Sequence, residues 1–527
     1  MSLAENKTAA ISENSVPKDE NLPGGDAPET PPEGERSYLQ IFKSSATIAG
    51  SSLVGLVFSV VRNKAAAVWL GPDGVGLIGL FWSIIEFTQG LAGSGLLSAG
   101  VRQIAEANGA GDSRRVAATA SALHWLSLGL GLLGAAILVI FALPISTVTF
   151  GNTGFAVGVA LVSLAVLLRI LAFGQIAALQ GLRRIGDLAR VHILTAVLGA
   201  LCFVCLIWTF GKQGIVPALI IDAGLLAALG WWFARKIDRG LVPLRKQEIT
   251  AESRAILRLG LVFMVNGLFV LGAAYAVRII VTTESGLAAA GLYQAAWAIA
   301  SLYAGFILQA MGVDFYPRLT EVAHDNQQCN RLVNEQTQVS ILLAGPGLIA
   351  TLTLAPFVVH LFYSAEFNPA VDILRWFCLG MMLRIISWPM GFIILAKNEQ
   401  RLFFWTELAA ALVQVGLAWL LVKRLGPVGA GAAFFGLYIW HTLIVWVIAK
   451  HLSGFRWSQI NLQLGALYVA ASAIVCAGFF YLDGWLSLGL GLAVTAACSI
   501  HSLYALLTLV PEERFPAMLR RFLPKAR

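Results

Sequence analysis

Charged residues are scarce in this sequence: only 13% of its 527 residues are Asp, Glu, Lys or Arg, whereas 58% are hydrophobic. Soluble domains carry about 25% charged residues, so the composition excludes an ordinary soluble protein. There are six cysteines. Cys202 and Cys205 have CxxC spacing, but they lie in an apolar segment with no second pair to complete a zinc site. We expect them to be small core residues.

The motifs of catalysis and cofactor binding are also missing. The sequence contains no P-loop motif (GxxxxGK followed by Ser or Thr) and no HExxH motif, and its seven histidines are scattered. The stretch Gly129–Gly134 fits GxGxxG in form only, because it lies in an apolar segment and follows no strand. We interpret it as a site of close helix packing. The sequence therefore predicts neither an enzyme nor a bound cofactor.

The formal net charge of +8 does not indicate a nucleic-acid partner. The basic residues lie at the ends of apolar segments, where the positive-inside rule places them. No basic face interleaved with aromatic residues is present, and no nucleic-acid-binding motif occurs. The membrane is the expected environment instead.

The sequence is built from apolar segments, each long enough to cross a bilayer, which takes about 20 residues per helix. Because a backbone in hydrocarbon must satisfy its own hydrogen bonds, all of them are predicted to be helices. They number about fourteen and lie near residues 40–70, 74–100, 115–143, 155–180, 187–210, 214–235, 255–282, 287–313, 333–362, 370–396, 401–423, 427–450, 461–482 and 484–510.

The connectors between these segments alternate in charge. Every second connector is rich in Arg and Lys, and the connectors between them carry almost none. The sixth connector is the richest, with Arg235, Lys236, Arg239, Arg245, Lys246, Arg254 and Arg258. By the positive-inside rule, the basic connectors and both termini are predicted to be cytoplasmic. We therefore expect a multi-pass protein of a bacterial inner membrane.

The sixth connector also divides the chain. Six segments precede it and eight follow, which predicts an all-α polytopic protein with two six-helix lobes plus two C-terminal helices. Transporters are often built from such paired halves, with the substrate site between them. The predicted parts are a disordered cytoplasmic tail (1–37), an N-terminal lobe (38–235), a connector (236–254), a C-terminal lobe (255–450), and two extra helices with a basic tail (451–527).

Two turns resemble each other in sequence. Leu70–Gly76 and Leu425–Gly431 both begin with Leu-Gly-Pro and continue with further glycines. We interpret them as matching Gly-Pro turns rather than as evidence of an internal repeat.

A few basic residues lie well inside the apolar segments, where an ionisable group costs about 2.5–3.5 kcal/mol on insertion scales. These are Arg62, Lys64, Arg278 and Arg384, and they outnumber the nearby acids. Such residues either pair internally or extend to the interface, or they line a wet cavity. We expect a cavity that receives a phosphate or pyrophosphate group, because Arg offers a fork of donors and Lys a point charge.

Acidic residues at membrane depth are the candidates for coupling transport to protons or sodium. Asp222 and Glu407 are the strongest of these, followed by Glu86 and Asp314. Arg169 lies at similar depth. Internal pairing is an equally good interpretation for Arg169, Glu86 and Asp314.

At these residues the sequence resembles the polysaccharide-transporter (Wzx-type) flippases of the multidrug/oligosaccharidyl-lipid/polysaccharide exporter superfamily, and most closely the lipid III and O-antigen type. The resemblance covers roughly residues 38–450. It rests on Val61–Lys64, Trp69–Gly76, Gly90–Gly95, Leu179–Arg183, Gly291–Gln294, Asp314–Leu319, Ala396–Lys397, Arg401 and Glu407.

The resemblance implies movement of undecaprenyl-pyrophosphate-linked oligosaccharides from the cytoplasmic to the periplasmic leaflet, with a polymerase or glycosyltransferase of the same pathway as a possible partner. It also implies that Lys64, Arg278 and Arg384 are cavity cations, that Arg62 matches an arginine of related lipid II flippases, and that Glu407 matches an acidic position. Three alternatives stay open. They are a drug or cation exporter of the same superfamily, a membrane-embedded glycosyltransferase or polymerase, and a structural subunit.

Overall fold

The computed structural model describes residues 33–235 and 245–509, which form helices and two short 3-10 turns but no strand. The predicted all-α architecture is confirmed. Much of the predicted tail and connector, and the basic C-terminal tail, lie outside these residues. The helices are α1 (Glu33–Gly109), α2 (Ser113–Ile140), α3 (Ala142–Phe150), α4 (Ala156–Gly181), α5 (Ile185–Phe210), α6 (Ile215–Ala234), α7 (Lys246–Glu321), α8 (Asn326–Thr353), α9 (Ala355–Phe362), α10 (Ala370–Ala396), α11 (Gln400–Leu425), α12 (Val428–Ser453), α13 (Gln459–Tyr481) and α14 (Gly484–Leu509).

The helices have the length and composition of membrane spans. Within the described residues, 10 helical stretches qualify, or 11 when α8 and α9, which are bent by 81° at their junction, form one broken span. Three of these stretches, Gly50–Gly93, Ile185–Ala234 and Gly267–Leu302, each contain two of the predicted segments. Counted on either side of the internal turns, the helices coincide with the fourteen predicted segments. The chain is a multi-pass membrane protein.

Glycines with positive φ separate these paired segments. The backbone reverses at Gly71 in α1, at Gly211 between α5 and α6, at Gly286 in α7 and at Gly426 between α11 and α12. Their ψ values are −170°, −134°, 173° and −150° in chain order. Positive φ with such ψ values is a conformation essentially confined to glycine. One residue therefore replaces a polar loop, and the apolar composition continues through each turn. We call the end of the bundle that carries these glycines the turn face.

Helices α1 to α6 recur as α7 to α12. Helices α1 and α7 have 77 and 76 residues, α2 and α8 both have 28, and α5 and α11 both have 26. The same number of residues separates Gly71 from Gly286 and Gly211 from Gly426. It also separates Arg183 from Asn398, the two non-glycine residues with positive φ in the described chain. We refer to α1–α6 as the first half and to α7–α12 as the second half.

The two halves meet through glycines of α1 and α7. A β-carbon on Gly76 would lie 2.3 Å from the carbonyl oxygen of Leu287, and one on Gly291 would lie 1.9 Å from that of Pro72. Further from the turns, a β-carbon on Gly95 would lie 2.1 Å from the carbonyl oxygen of Gly260. Positions 76 and 95 are about 28 Å apart along a helix, whereas 260 and 291 would be about 46 Å apart if α7 were straight. Helix α7 is therefore a hairpin that packs beside α1.

The remaining helices surround this contact. Helix α10 is the best packed of the second half, with 56% of its span buried, whereas α11 and α14 are only 11% and 17% buried and present apolar side chains outward. Such faces suit lipid rather than water. Helices α13 and α14 pack on the second half, where the ring of Phe479 lies 4.0 Å from the Arg375 guanidinium.

Replacing Gly291 by Ala is expected to destabilise the protein by about 1–3 kcal/mol, the usual cost of overpacking, because the new methyl group would overlap the Pro72 carbonyl. The melting temperature of the purified protein in detergent measures this. Gly305→Ala on the same helix is the control, since a β-carbon there meets nothing within 4 Å. Equal melting temperatures for the two variants would show that the halves are not joined at this contact.

Candidate functional site

A cavity of about 180 Å³ lies between the two halves. Both limbs of α1 line it, with Arg62 on the first limb and Trp82 on the second, and α7 contributes Gln294. Tyr363, which follows α9, also lines it. Arg62 precedes the Gly71 turn by about 13 Å of helix, so the cavity extends at least this far into the bundle from the turn face.

Arg62 and Arg169 share one carboxylate. A guanidinium nitrogen of Arg62 lies 3.9 Å from one oxygen of Asp222, and Arg169 donates to the other oxygen at 3.4 Å. Arg169 also donates through Nε to Oε1 of Gln89 at 3.1 Å and lies 4.6 Å from the centre of the Trp82 ring. Asp222 and Arg169 are mostly buried, whereas the Arg62 side chain is 32% exposed. Arg62 is therefore the looser partner and the one that faces the cavity.

Arg278 and Arg384 have no carboxylate within salt-bridge distance among the described residues. Arg278 is 8% exposed and donates through Nε to Oε1 of Gln294 at 3.1 Å, which places it one hydrogen bond from the cavity. The Arg384 guanidinium lies 4.8 Å from the Trp388 ring and 5.7 Å from the Tyr438 ring. A buried guanidinium without a carboxylate is costly, and an anion offsets that cost through charge-assisted hydrogen bonds.

Lys64 has a different environment from the other predicted cavity cations. Its Nζ donates to the backbone carbonyl of His360 at 2.7 Å and to that of Tyr363. These carbonyls belong to the last turn of α9, where helix dipoles favour a cation. The first half is thereby fastened to the second near the turn face. A hydrogen bond between the hydroxyls of Thr149 and Tyr275 joins α3 to α7 across the same boundary.

The four candidate coupling acids are not equivalent. Asp222 bridges two arginines, and Glu86 accepts a hydrogen bond from Nε1 of Trp82 at 2.7 Å. Glu407 lines a separate cavity in the second half. Asp314 has a 73% exposed side chain and pairs with Arg318 at 3.2 Å, away from the other three. The structure thus places Asp222 and Glu86 beside the arginine cluster of the first half.

Three groups near these residues were not anticipated from the sequence as site residues. Gln294 holds Arg278, while Trp388 and His441 line the same cavity as Glu407. An isolated Gln, Trp or His in an apolar segment is ordinary in a membrane helix, and its neighbours come from other helices. The packing of α7 against α1 reveals Gln294, and the packing of α10, α11 and α12 reveals Trp388 and His441.

The chain resembles known proteins in sequence and in structure. A family model described as "Polysaccharide biosynthesis protein" matches residues 67–372. The lipid III flippase of Escherichia coli is 25% identical over 414 residues, which cover 76% of this chain and 96% of that protein.

Two solved structures show the same fold. The lipid II flippase MurJ, in an inward closed conformation, matches with a TM-score of 0.63 and 13% identity over 89% of this chain and 99% of its own. An inward-facing multidrug resistance transporter of the MATE family, in the MOP superfamily, matches with a TM-score of 0.61 and 19% identity over 76% of this chain and 99% of its own.

Replacing Lys64 by Met removes its charge and donors but keeps an apolar stem. We expect the fraction of molecules whose halves are separated at the turn face to rise by about tenfold or more, because charge-assisted hydrogen bonds contribute about 1.5–3 kcal/mol. Electron–electron resonance between spin labels introduced by Gln213→Cys and Asn368→Cys, in a background without the native cysteines, measures the separation.

The matched control is Lys423→Met. Lys423 lies near the same face but pairs with Glu284 within the second half, at 3.7 Å. A distance distribution that Lys64→Met leaves as narrow as that of the control would contradict a fastening role for Lys64.

Proposed function

The chain belongs to the polysaccharide biosynthesis protein family, and on that premise we propose that it is a flippase for undecaprenyl-pyrophosphate-linked oligosaccharide. It carries this lipid from the cytoplasmic to the periplasmic leaflet of a bacterial inner membrane. The two halves alternate in exposing a cationic cavity, while the polyprenyl tail stays in the lipid.

The observation that carries the proposal is that Arg278, one hydrogen bond from the cavity that Arg62 lines, has no carboxylate partner among the described residues. A pyrophosphate cannot cross hydrocarbon unaided, because transfer of bare charge is prohibitive. Arg62 of the first half lines the cavity, and Arg278 of the second half donates a hydrogen bond to Gln294, which also lines it. Together they offer the planar, bidentate donors that suit phosphate oxygens.

Arg62 has a choice of partner. Its 3.9 Å contact with Asp222 is long, and Arg169 already occupies the other oxygen of that carboxylate. A pyrophosphate in the cavity competes with Asp222 for Arg62, so a proton or a sodium ion bound at Asp222 frees Arg62 for the substrate. Among the four candidate acids, Asp222 is the one we assign to ion coupling.

The orientation follows from charge. The turn face carries glycine turns with few basic residues, whereas the described basic connectors, which include Arg114, Arg115, Arg183 and Arg184, lie at the opposite end of the bundle. Under the positive-inside rule, the turn face is periplasmic and both termini are cytoplasmic. Lys64 then closes the periplasmic side.

The alternative is a multidrug or cation exporter, which the fold shared with the MATE family transporter would equally accommodate. A site for cationic drugs needs an excess of carboxylate. Here two arginines have no carboxylate partner in the described residues, which favours an anionic substrate. Energised vesicles that extrude ethidium but leave lipid-linked oligosaccharide in place would favour the exporter.

Arg278→Gln is expected to lower the rate of lipid-linked oligosaccharide flipping by about 10- to 100-fold, which corresponds to the loss of about 1.5–3 kcal/mol of charge-assisted hydrogen bonding. The rate is measured in proteoliposomes as the appearance of glycan that a membrane-impermeant oxidant can reach. Arg331→Gln, at a side chain that is 80% exposed, is the control. A wild-type rate in the Arg278 variant with normal melting would overturn the phosphate role.

Ion coupling is tested with imposed gradients. Wild-type proteoliposomes are expected to flip faster under a proton or sodium gradient of one direction, and Asp222→Asn is expected to abolish that response. Gradient dependence that persists in Asp222→Asn, or a wild-type rate that no gradient alters, would exclude Asp222 as the coupling group.

A further inference from the structure

A second cavity, of about 220 Å³, lies within the second half. Helices α10, α11 and α12 form it, with Val270 of α7 on its rim. It shares no lining residue with the central cavity. At about 30 Å³ per water, its volume equals roughly seven waters, which is the scale of one sugar residue. We call it the second-half pocket.

Polar atoms without partners gather at this pocket. Trp388 Nε1 and His441 Nδ1 are buried and have no hydrogen-bond partner among the described residues, and both residues line the pocket. Arg384 lies one helical turn before Trp388, with its guanidinium 4.8 Å from the Trp388 ring, and its Nε is likewise buried without a partner in the described part of the chain. Buried polar atoms almost always have a partner, and an atom left without one destabilises the fold unless a ligand or water satisfies it. Three together indicate a site for a ligand.

The lining selects among ligand classes. The Glu407 carboxylate repels a phosphate, and the neighbouring Arg384 repels a cationic drug. A neutral ring that carries hydroxyl groups avoids both penalties, since hydroxyls donate to the carboxylate and accept from the indole N–H. The aromatic walls, Trp388, Phe392 and Phe403, suit the apolar face of such a ring, as in most small-molecule pockets.

The second-half pocket also lies toward the end of the bundle opposite the turn face. Glu407 follows the start of α11 at Gln400 by about 10 Å of helix, and Leu395 and Val445 lie near the ends of α10 and α12. All three places are near the end of the bundle opposite the turn face. In the proposed orientation this end is cytoplasmic, where the glycan is before transport.

We propose that the second-half pocket binds one sugar of the lipid-linked oligosaccharide and makes transport depend on the glycan. The inference rests on the proposed function and adds to it a site for the sugar that is separate from the arginines for the pyrophosphate. Glu407 accepts hydrogen bonds from sugar hydroxyls there, while Trp388 and His441 complete the contacts.

The test compares two probes on the full chain in nanodiscs. One is lipid-linked oligosaccharide extracted from the cells that make this protein, and the other is undecaprenyl pyrophosphate without sugar. Trp388→Phe, which keeps the ring and removes the N–H, and Glu407→Gln, which keeps the shape and removes the charge, are each expected to weaken binding of the glycosylated probe by about fivefold or more. Binding of the sugar-free probe is expected to stay unchanged.

Two controls match these variants. Trp405→Phe changes a tryptophan that is 62% exposed on α11, and Glu399→Gln changes an exposed carboxylate just before the same helix. Both are expected to bind the two probes like the wild type.

Each other outcome has a definite meaning. Equal weakening of both probes, or of neither, in Trp388→Phe and Glu407→Gln proteins that melt normally would overturn the sugar assignment. A wild-type protein that binds neither probe would instead overturn the proposed flippase function. Melting curves of every variant separate these results from misfolding.

Discussion

The close approach of α1 and α7 at Gly76 and Gly291 is the constraint on which the rest of the structure depends. It is reciprocal, because each glycine faces the carbonyl that follows the other helix's glycine turn. Because no side chain separates the two backbones at this contact, it fixes how far α7 is shifted along α1. That shift brings Arg62 of the first half and Gln294 of the second half to the walls of one cavity, and Gln294 in turn holds Arg278.

The two halves share a fold but not a charge pattern. At the spacing that relates Gly71 to Gly286, Arg169 of α4 corresponds to Arg384 of α10. Asp222, the partner of Arg169, corresponds to Leu437, which explains why Arg384 lacks a carboxylate there. Each half therefore carries an arginine at this position, but only the arginine of the first half, Arg169, has a carboxylate partner among the described residues. The neutralised copy, Arg169, lies against Trp82, which lines the central cavity, and Arg384 lies against Trp388, which lines the pocket of Glu407 and His441.

Sequence periodicity and composition predicted the helices because the membrane imposes one backbone solution on every apolar segment. The position of the first turn could also be predicted from the sequence, since the first predicted segment ends at residue 70, next to Gly71. The internal repeat could not be predicted. The turns at Gly71 and Gly426 have similar sequences. In the structure, however, Gly71 is equivalent to Gly286, and Gly211 is equivalent to Gly426. The two turns that are similar in sequence are therefore not equivalent in the repeat.

Side-chain partners were the hardest to predict, because they come from distant parts of the chain. The sequence places Lys64 two residues after Arg62, and nothing local separates their environments. Arg62 nevertheless faces the cavity, while Lys64 contacts the carbonyls of His360 and Tyr363 near the turn face. Asp314 was predicted to lie at membrane depth because its neighbours in the sequence are apolar. Its side chain is instead 73% exposed and pairs with Arg318.

The contacts that join the halves differ at the two ends of the bundle, and this difference bears on how alternating access would proceed. At the end opposite the turn face, Arg114 pairs with Glu248 at 2.9 Å and Arg115 with Glu252 at 3.1 Å, through arginine side chains that are 47% and 42% exposed. The Arg114–Glu248 pair is exposed enough to contribute little to stability and to be screened by salt, whereas the Glu252 side chain is 15% exposed. At the turn face, Lys64 is bound to helix-terminal carbonyls beside the glycine contact.

These ion pairs are not the whole contact at that end, because the Gly95–Gly260 backbone approach also joins the halves far from the turn face. In the proposed transport cycle, an opening at that end separates Gly95 from Gly260 and keeps the Gly76–Gly291 contact as the pivot. In the proposed transport cycle, a pyrophosphate that enters from the end opposite the turn face meets Arg62 before it reaches Tyr363, whose carbonyl Lys64 holds. Substrate binding and release of the closure at the turn face are then adjacent steps of that proposed cycle.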